Sequence, residues 1–295
     1  RMDAYIDQYT DFMTRICHKS ENTVESYRRD VLQYLTYLKE LGITSIKKTT
    51  KTTVLSYLVA LKKKGRAAST MSRALASLRS FYLYLLQNGD VDSDPTVSLM
   101  TPPVEKKPPT VLTNREVELL MEQPRLTDSK GIRDKAMLEV LYATGIRVSE
   151  LIGLDIDDVN VGMGFVRCVK SRSERTVPMG HKAAEALGAY LEKSRGNLVK
   201  DESERALFVN CSGGRMSRQG FWKVIKQYQH SAGIDKEITP HSLRHSFAAH
   251  LVENGADLQS IKEMMGHADI SSTQVYAYYV DEKLRKVYEH AHPRA

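Results

Sequence analysis

Between Thr101 and Pro109 the chain reads Thr-Pro-Pro-Val-Glu-Lys-Lys-Pro-Pro, four prolines in nine residues. Proline fixes φ, lacks a backbone N–H and pushes the residue before it toward extended backbone, so no helix or central strand can run through this stretch. Upstream, Asp92-Ser-Asp-Pro95 already ends a helical pattern. The fold must therefore be built in two parts: residues 1–100, a semi-rigid linker over 101–111, and residues 112–295. A chain of 295 residues is long enough for each part to bury a core of its own.

The first part reads as four helices. A helix over roughly residues 3–18 precedes an apolar stripe of Val24, Tyr27, Val31, Tyr34, Leu35 and Leu38. That stripe opens at Asn22, with Glu25 three residues on as in a capping box, and closes at Leu41-Gly42. Val54, Tyr57, Leu58 and Leu61 mark a third helix. Met71, Leu75, Leu78, Tyr82 and Leu85 mark a fourth, for which Ser69-Thr70 is the expected N-cap. Charge is placed unevenly over these helices. The whole chain carries a formal +7, and residues 1–100 hold 15 Lys+Arg against 10 Asp+Glu. From Leu41 to Gly89 there is no acidic residue at all, but nine basic ones: Lys47, Lys48, Lys51, Lys62, Lys63, Lys64, Arg66, Arg73 and Arg79. A solvated surface usually mixes its signs. An acid-free block on a folded helical domain points to a polyanion, most simply the nucleic-acid backbone.

Several classes are excluded early. With 41% hydrophobic and 27% charged residues the composition is that of a globular chain, not a disordered one. No apolar run reaches the roughly 18 residues of a membrane span. Asp3, Asp7 and Asp11 stand where a secretory signal would need a basic start and an apolar block. Cys17, Cys168 and Cys211 are too few and too scattered for a disulfide framework, which fits a reducing cytoplasm.

In the second part, Thr113-Asn-Arg-Glu116 starts one helix, and an apolar-periodic helix spans Ile132 to Thr144. Val159 to Met179 alternates and is rich in valine, which predicts a β-hairpin or small sheet turning at Ser171-Arg-Ser. Helices return over Gln219–Ala232, Leu243–Asn254 and Leu258–Met265, with a last one from about Ser272. The expected class is thus mainly α with a small sheet. No glycine-rich phosphate loop followed by Lys-Ser/Thr is present, and no dinucleotide fingerprint. His241 and His245 share a helix face, but the segment reads His-Ser-Leu-Arg-His, with no glutamate to act as base and no nearby cysteine, so neither metal nor other cofactor is expected.

What the second part does carry is basic residues at element ends. Gly145 can stop the helix that ends in Ala143-Thr-Gly-Ile146, and Val148-Ser-Glu-Leu151 begins the next, leaving Arg147 at the junction. Thr239-Pro marks another helix start, where His241 and Arg244, three apart, project from one face of the first turn. Singly, such residues are surface ion pairs or caps. Together, beside a basic helical domain, they suit an anion held at helix ends.

These segments resemble a known family, the tyrosine recombinases or phage-integrase-type site-specific recombinases, and its Xer branch in particular. The resemblance rests on five ordered blocks: Ala143–Leu151, Glu174-Arg-Thr-Val-Pro-Met179, Thr239–Ala248, Met265-Gly-His-Ala268 and Ser272-Thr-Gln-Val-Tyr276. It implies an N-terminal four-helix SAM-like core-binding domain joined to a tyrosine-recombinase catalytic domain. It also implies catalytic roles for Arg147, Lys170, His241, Arg244 and His267, with Tyr276 as the nucleophile that becomes linked to the 3′ phosphate of DNA. Two departures stand out. The family's lysine usually lies between glycines, whereas Lys170 lies between Val169 and Ser171. After the nucleophile the sequence is Ala277-Tyr278-Tyr279, so two rival hydroxyls follow. The implied partners are a double-stranded DNA recombination site, a homo- or hetero-tetramer on two such sites that passes through a Holliday junction, and a DNA translocase as activator. Chromosome-dimer resolution and mobile-element integration both fit, and Asp281–Glu289 could dock in cis or on a neighbouring protomer. A type IB topoisomerase-like relaxing enzyme would share the chemistry, and a non-catalytic regulator would share only the binding.

The roles make physical sense. A phosphodiester repels nucleophiles by its own charge, which two guanidiniums on the non-bridging oxygens can offset. A phenol with a pKa of about 10 needs a neighbouring base or cation to lose its proton. A lysine beside Arg172 and Arg175 has reason to titrate low and to protonate the leaving oxygen.

Overall fold

The computed structural model describes residues 4–104, 109–169 and 174–266. The chain divides into two compact units, Arg1–Lys107 and Pro108–Ala295. Between them, residues 101–104 and 109–113 are irregular, as their prolines require.

The first unit contains α1 (Ala4–Arg15), α2 (Glu21–Glu40), α3 (Lys51–Lys63) and α4 (Ala68–Gln87). Their apolar stripes meet in one core around Tyr9, Met13, Val31, Tyr34, Leu35, Leu38, Val54, Leu78, Phe81 and Leu85. Within it, the hydroxyls of Tyr34 and Tyr82 lie 2.7 Å apart, and Tyr82 donates onward to Thr49 Oγ1 at 2.8 Å. Two helix starts differ from the sequence expectation. The cap of α2 is Ser20, in extended backbone, whose hydroxyl accepts from the Thr23 amide; Asn22 falls inside the first turn. The fourth helix begins after Ala67 with no side-chain cap, and Ser69 and Thr70 lie within it. Local side-chain chemistry suits several adjacent positions, and packing of the stripe decides which one starts the helix.

A polar contact ties α2 to α4. Asp30, only 3% exposed, accepts from Arg73 Nε at 2.8 Å, from Arg73 Nη2 at 2.9 Å and from the Ser77 hydroxyl at 2.9 Å. The acid that balances Arg73 thus comes from outside the acid-free block.

The second unit begins with α5 (Asn114–Met121), opened by a Thr113–Glu116 capping box, then α6 (Ser129–Thr144) and α7 (Val148–Gly153). An antiparallel sheet follows in the order β1 (Val159–Asn160), β2 (Phe165–Cys168), β3 (Arg175–Pro178), with Val166 opposite Val177 and Cys168 opposite Arg175. The remaining described helices are α8 (Gly180–Lys193), α9 (Arg195–Leu198), α10 (Arg218–Ser231), α11 (Ser242–Glu253) and α12 (Leu258–Met265). The sequence expectation has no helix between 180 and 216. There, α8 buries a sparse stripe of Ala183, Leu187 and Tyr190 against the central α6. Ala183, Leu187 and Tyr190 recur at intervals of four and three, a helical period that the sequence does carry. No helix among the described residues is long and apolar enough to cross a membrane.

Buried polar groups fasten the frame. Arg133 and Asp134 pair through Nη2 and Oδ1 at 2.6 Å; Arg133 also donates to Val209 O at 3.0 Å, and the Tyr228 hydroxyl to Asp134 Oδ2 at 2.7 Å. This joins α6 to α10 and to the segment before it. Where the chain enters the unit, Leu112 N donates to the Ser246 hydroxyl at 2.9 Å, and His250 Nε2 donates to Leu112 O at 2.8 Å. His250 Nδ1 then accepts from the Tyr142 hydroxyl at 2.7 Å, locking α11 onto α6.

The start of α6 has no spare volume. A Cβ added at Gly131 would stand 1.8 Å from the backbone oxygen of Arg125. Gly131→Ala should therefore destabilise this unit by about 3 kcal/mol. Urea unfolding read on the lone tryptophan, Trp222 in α10, measures the loss, and an unchanged midpoint would contradict the packing described.

Candidate active site

The site is built on helix ends. Gly145 closes α6 in the left-handed region at φ +62°, and a Cβ there would run into the Phe247 ring at 2.1 Å. The chain can thus turn against α11 within two residues and begin α7 at Arg147, its N-cap. The Arg147 amide donates to Glu150 Oε2 at 2.7 Å, and its Nη1 to Glu150 Oε1 at 3.1 Å. The same carboxylate receives Arg175 from β3, Nη1 to Oε1 at 2.8 Å and Nη2 to Oε2 at 3.0 Å. In the first turn of α11, Arg244 is 4% exposed.

These three arginines converge on the end of α12. The last carbonyls of a helix have no partner in its own ladder and carry the negative end of its dipole. Here Arg175 Nε donates to Met264 O at 2.7 Å, Arg244 Nη2 to Met265 O at 3.0 Å, and Arg147 Nη2 to Gly266 O at 2.6 Å. Arg244 Nη1 also donates to Gly145 O, which links the end of α6 to the end of α12. Gly266 itself has φ +65°, and a Cβ there would come 2.5 Å from Arg175 Nη1. The close approach thus needs glycine.

His241 stands at the N-cap position of α11, and its ring centre lies 6.4 Å from that of His245. Burial first, and then the Arg244, Arg218 and Arg147 guanidiniums, push His241 below the ordinary histidine value. His245 is pushed down to about 4, by burial and then by His241 and Arg244. Both rings are therefore neutral at neutral pH, and His241 can accept a proton there.

The structure brings Arg147, Arg244 and His241 into one neighbourhood. Lys170, His267 and Tyr276 lie outside the described residues, as do Tyr278, Tyr279, Asp281–Glu289 and the expected last helix. Sequence reasoning missed the partnership of Glu150 with Arg175. The available signal was a glutamate three residues after Arg147 and a charged residue in a strand otherwise rich in apolar positions. Of the nine basic residues in the first unit, Lys47, Lys48, Lys51, Lys62, Lys63, Lys64 and Arg66 are exposed. Arg73 is bound to Asp30, and Arg79 donates to the carbonyl of Leu99.

Residues 110–283 match the phage integrase family, and residues 6–89 match the N-terminal SAM-like domain of phage integrases. A tyrosine recombinase XerD from Halalkalibacterium halodurans is 50% identical over 278 residues, 94% of this chain and 93% of that one. The tyrosine recombinase XerD of Staphylococcus epidermidis is 45% identical over 295 residues, the full length of both. Among solved structures, XerA recombinase is 29% identical over 100% of both chains with a TM-score of 0.56. The fold is also that of the Tn1549 transposon integrase in complex with a circular intermediate DNA, with a TM-score of 0.74 at 18% identity over 96% of this chain and 99% of that one. The chain belongs to the phage integrase family as a Xer-like tyrosine recombinase, an enzyme of site-specific DNA recombination.

The neutral histidines make stability depend on pH. An unfolded histidine takes up its proton near 6.5, whereas folded His245 stays neutral down to about 4. Between those values the unfolded chain binds more protons, so stability falls as pH is lowered through this window. Melting temperatures measured from pH 7 to 4 should drop, and His245→Asn should flatten the slope. An equal slope in the variant would mean that His245 titrates normally.

Proposed function

We propose that the chain cuts and rejoins DNA strands through Tyr276, using Arg147, Lys170, His241, Arg244 and His267. In this reading Tyr276 attacks the scissile phosphorus while Arg147 and Arg244 hold the non-bridging oxygens and offset the charge of the pentavalent transition state. His241 assists removal of the phenolic proton. Lys170 protonates the departing 5′ oxygen. His267 hydrogen-bonds the phosphate or orients the phenol. The products are a 3′-phosphotyrosyl ester and a free 5′-hydroxyl. The ester keeps the energy of the broken bond, so religation needs no ATP, and two fixed guanidiniums supply the charge for which other enzymes use a metal.

One observation carries this reading: the Arg147 and Arg244 guanidiniums, from different helices, donate to neighbouring carbonyls, Gly266 O and Met265 O. Guanidiniums fixed in one place by neutral carbonyls keep their positive charge, which is what a phosphate there requires.

In the same reading the first unit holds duplex DNA by its phosphates, through Lys47, Lys48, Lys51, Lys62, Lys63, Lys64, Arg66 and Arg79, with Arg73 contributing less because the Asp30 carboxylate offsets its charge. Solved relatives support DNA as the partner: XerH was captured on difH substrate both before and after cleavage. Four protomers, identical or from two homologues, would act on two sites through a Holliday junction in the cytoplasm, with Asp281–Glu289 available for docking and a DNA translocase as activator. Full-length similarity to recombinases named XerD favours chromosome-dimer resolution over mobile-element integration.

The test uses a nicked duplex bearing the sequence that the protein selects from a pool with a randomised core. Tyr276→Phe should bind this duplex normally, yet form the covalent adduct at least about 10⁴-fold more slowly on a denaturing gel. An adduct that survives in this variant and disappears in Tyr278→Phe would move the nucleophile. Supercoil relaxation without site dependence would favour the topoisomerase-like reading.

A further inference from the structure

Arg175 is fully committed to the protein. Its Nη1 and Nη2 hold the two oxygens of Glu150, and its Nε holds Met264 O. Its side chain is 10% exposed, against 36% for Arg147. Each nitrogen of the Arg175 fork thus has an acceptor within the fold, whereas Arg147 uses only two of its five N–H groups in the side-chain bonds described above. The two arginines share one buried carboxylate, whose side chain is 7% exposed. Taken alone, Arg147 and Glu150 would form a neutral ion pair, and the pair would offer a phosphate almost nothing. With Arg175 on the same carboxylate, the three side chains together keep one net positive charge among the described residues, and the more exposed arginine is Arg147.

We propose that Arg175 is a positioning residue for strand cleavage: by occupying Glu150 and the Met264 carbonyl, it leaves Arg147 charged and correctly placed to hold the scissile phosphate. The inference rests on the reading of Arg147 as a phosphate ligand. Arg175 itself does not touch the DNA. Its bidentate hold on Glu150 fixes the carboxylate that in turn fixes both the Arg147 backbone amide and its Nη1. Its bond to Met264 O sets the end of α12, two carbonyls before the one that Arg147 grips.

The experiment measures covalent adduct formation by the full chain on the nicked duplex described above, for R147A, R175M, R175K and R147A/R175M. R175M should slow adduct formation by about 100-fold, as loss of one transition-state donor does, while binding the duplex within about threefold of the parent. R175K keeps the charge but loses the fork and should recover about tenfold of that loss. Because Arg175 acts through Arg147, adding R175M to R147A should cost less than about threefold more. A second substrate separates positioning from general disruption. When the scissile phosphate is replaced by an uncharged methylphosphonate, charge neutralisation is no longer needed, and the R175M defect should shrink to less than about tenfold. If R175M does not fold, the same comparison is made with R175K and R147A/R175K, with an expected loss of about tenfold that disappears in the R147A background.

The outcomes are distinct. If R147A cleaves like the parent, the assignment of Arg147 to the phosphate fails. If R147A is crippled while R175M and R175K cleave like the parent, the inference about Arg175 fails alone. If the two losses multiply, or the R175M defect is as large on methylphosphonate as on phosphate, Arg175 supports the fold and does not position Arg147.

Discussion

The catalytic unit is organised around the carboxylate of Glu150. It is nearly buried, and burying a lone carboxylate would cost several kcal/mol. Among the described residues four donors offset that cost: the Arg147 amide, Arg147 Nη1, and Arg175 Nη1 and Nη2. Each donor comes from an element that must be in place before the bond can form. The start of α7 supplies two, and β3 supplies two through a register that sets Arg175 opposite Cys168. The same two arginines then reach the end of α12. One acidic side chain thereby couples a helix start, a sheet and a helix end that are far apart in sequence.

Much of this was legible from sequence where the signal was local. The proline run between Thr101 and Pro109 punctuates the chain, the apolar stripes of α2, α3 and α4 fill one core, and Leu258–Met265 is a helix over the same residues that its periodicity predicts. Arg147, His241 and Arg244 stood out because glycine and proline mark helix ends, and the structure sets all three at such ends. What was lost was decided by tertiary contacts. Asn22 and Ser69-Thr70 have capping chemistry, but packing starts those helices at Ser20 and Ala67. Arg73 sits in a stretch without acids, yet Asp30 reaches it from another helix across 43 residues. Glu150 and Arg175 are 25 residues apart, and only the strand register brings them together.

The two units use positive charge in physically different ways. In the first, lysines stand in solvent, where screening confines their pull to about 10 Å at moderate salt. Such charges attract a polyanion and are easily exchanged between phosphates. In the second, Arg244 and Arg175 are withdrawn from solvent, Arg147 is partly so, and all three are directed by fixed acceptors. Their fields are less screened and their orientations are set before any substrate arrives.

The choice of acceptor matters as much as the choice of cation. A guanidinium can be held in place by a carboxylate, but each carboxylate removes a full positive charge from the site. The end of a helix instead offers several carbonyls that together carry only about half a charge. Three arginines are oriented here by Met264 O, Met265 O and Gly266 O, with Glu150 the carboxylate that two of them share. Dipoles therefore share the placing with one carboxylate, and the net charge left over is what a phosphate would meet. A cluster held by three carboxylates would be equally rigid and electrostatically inert. Using the end of α12 keeps rigidity and charge together, and it makes the left-handed turn at Gly266 a condition of the site, because any side chain there would displace Arg175.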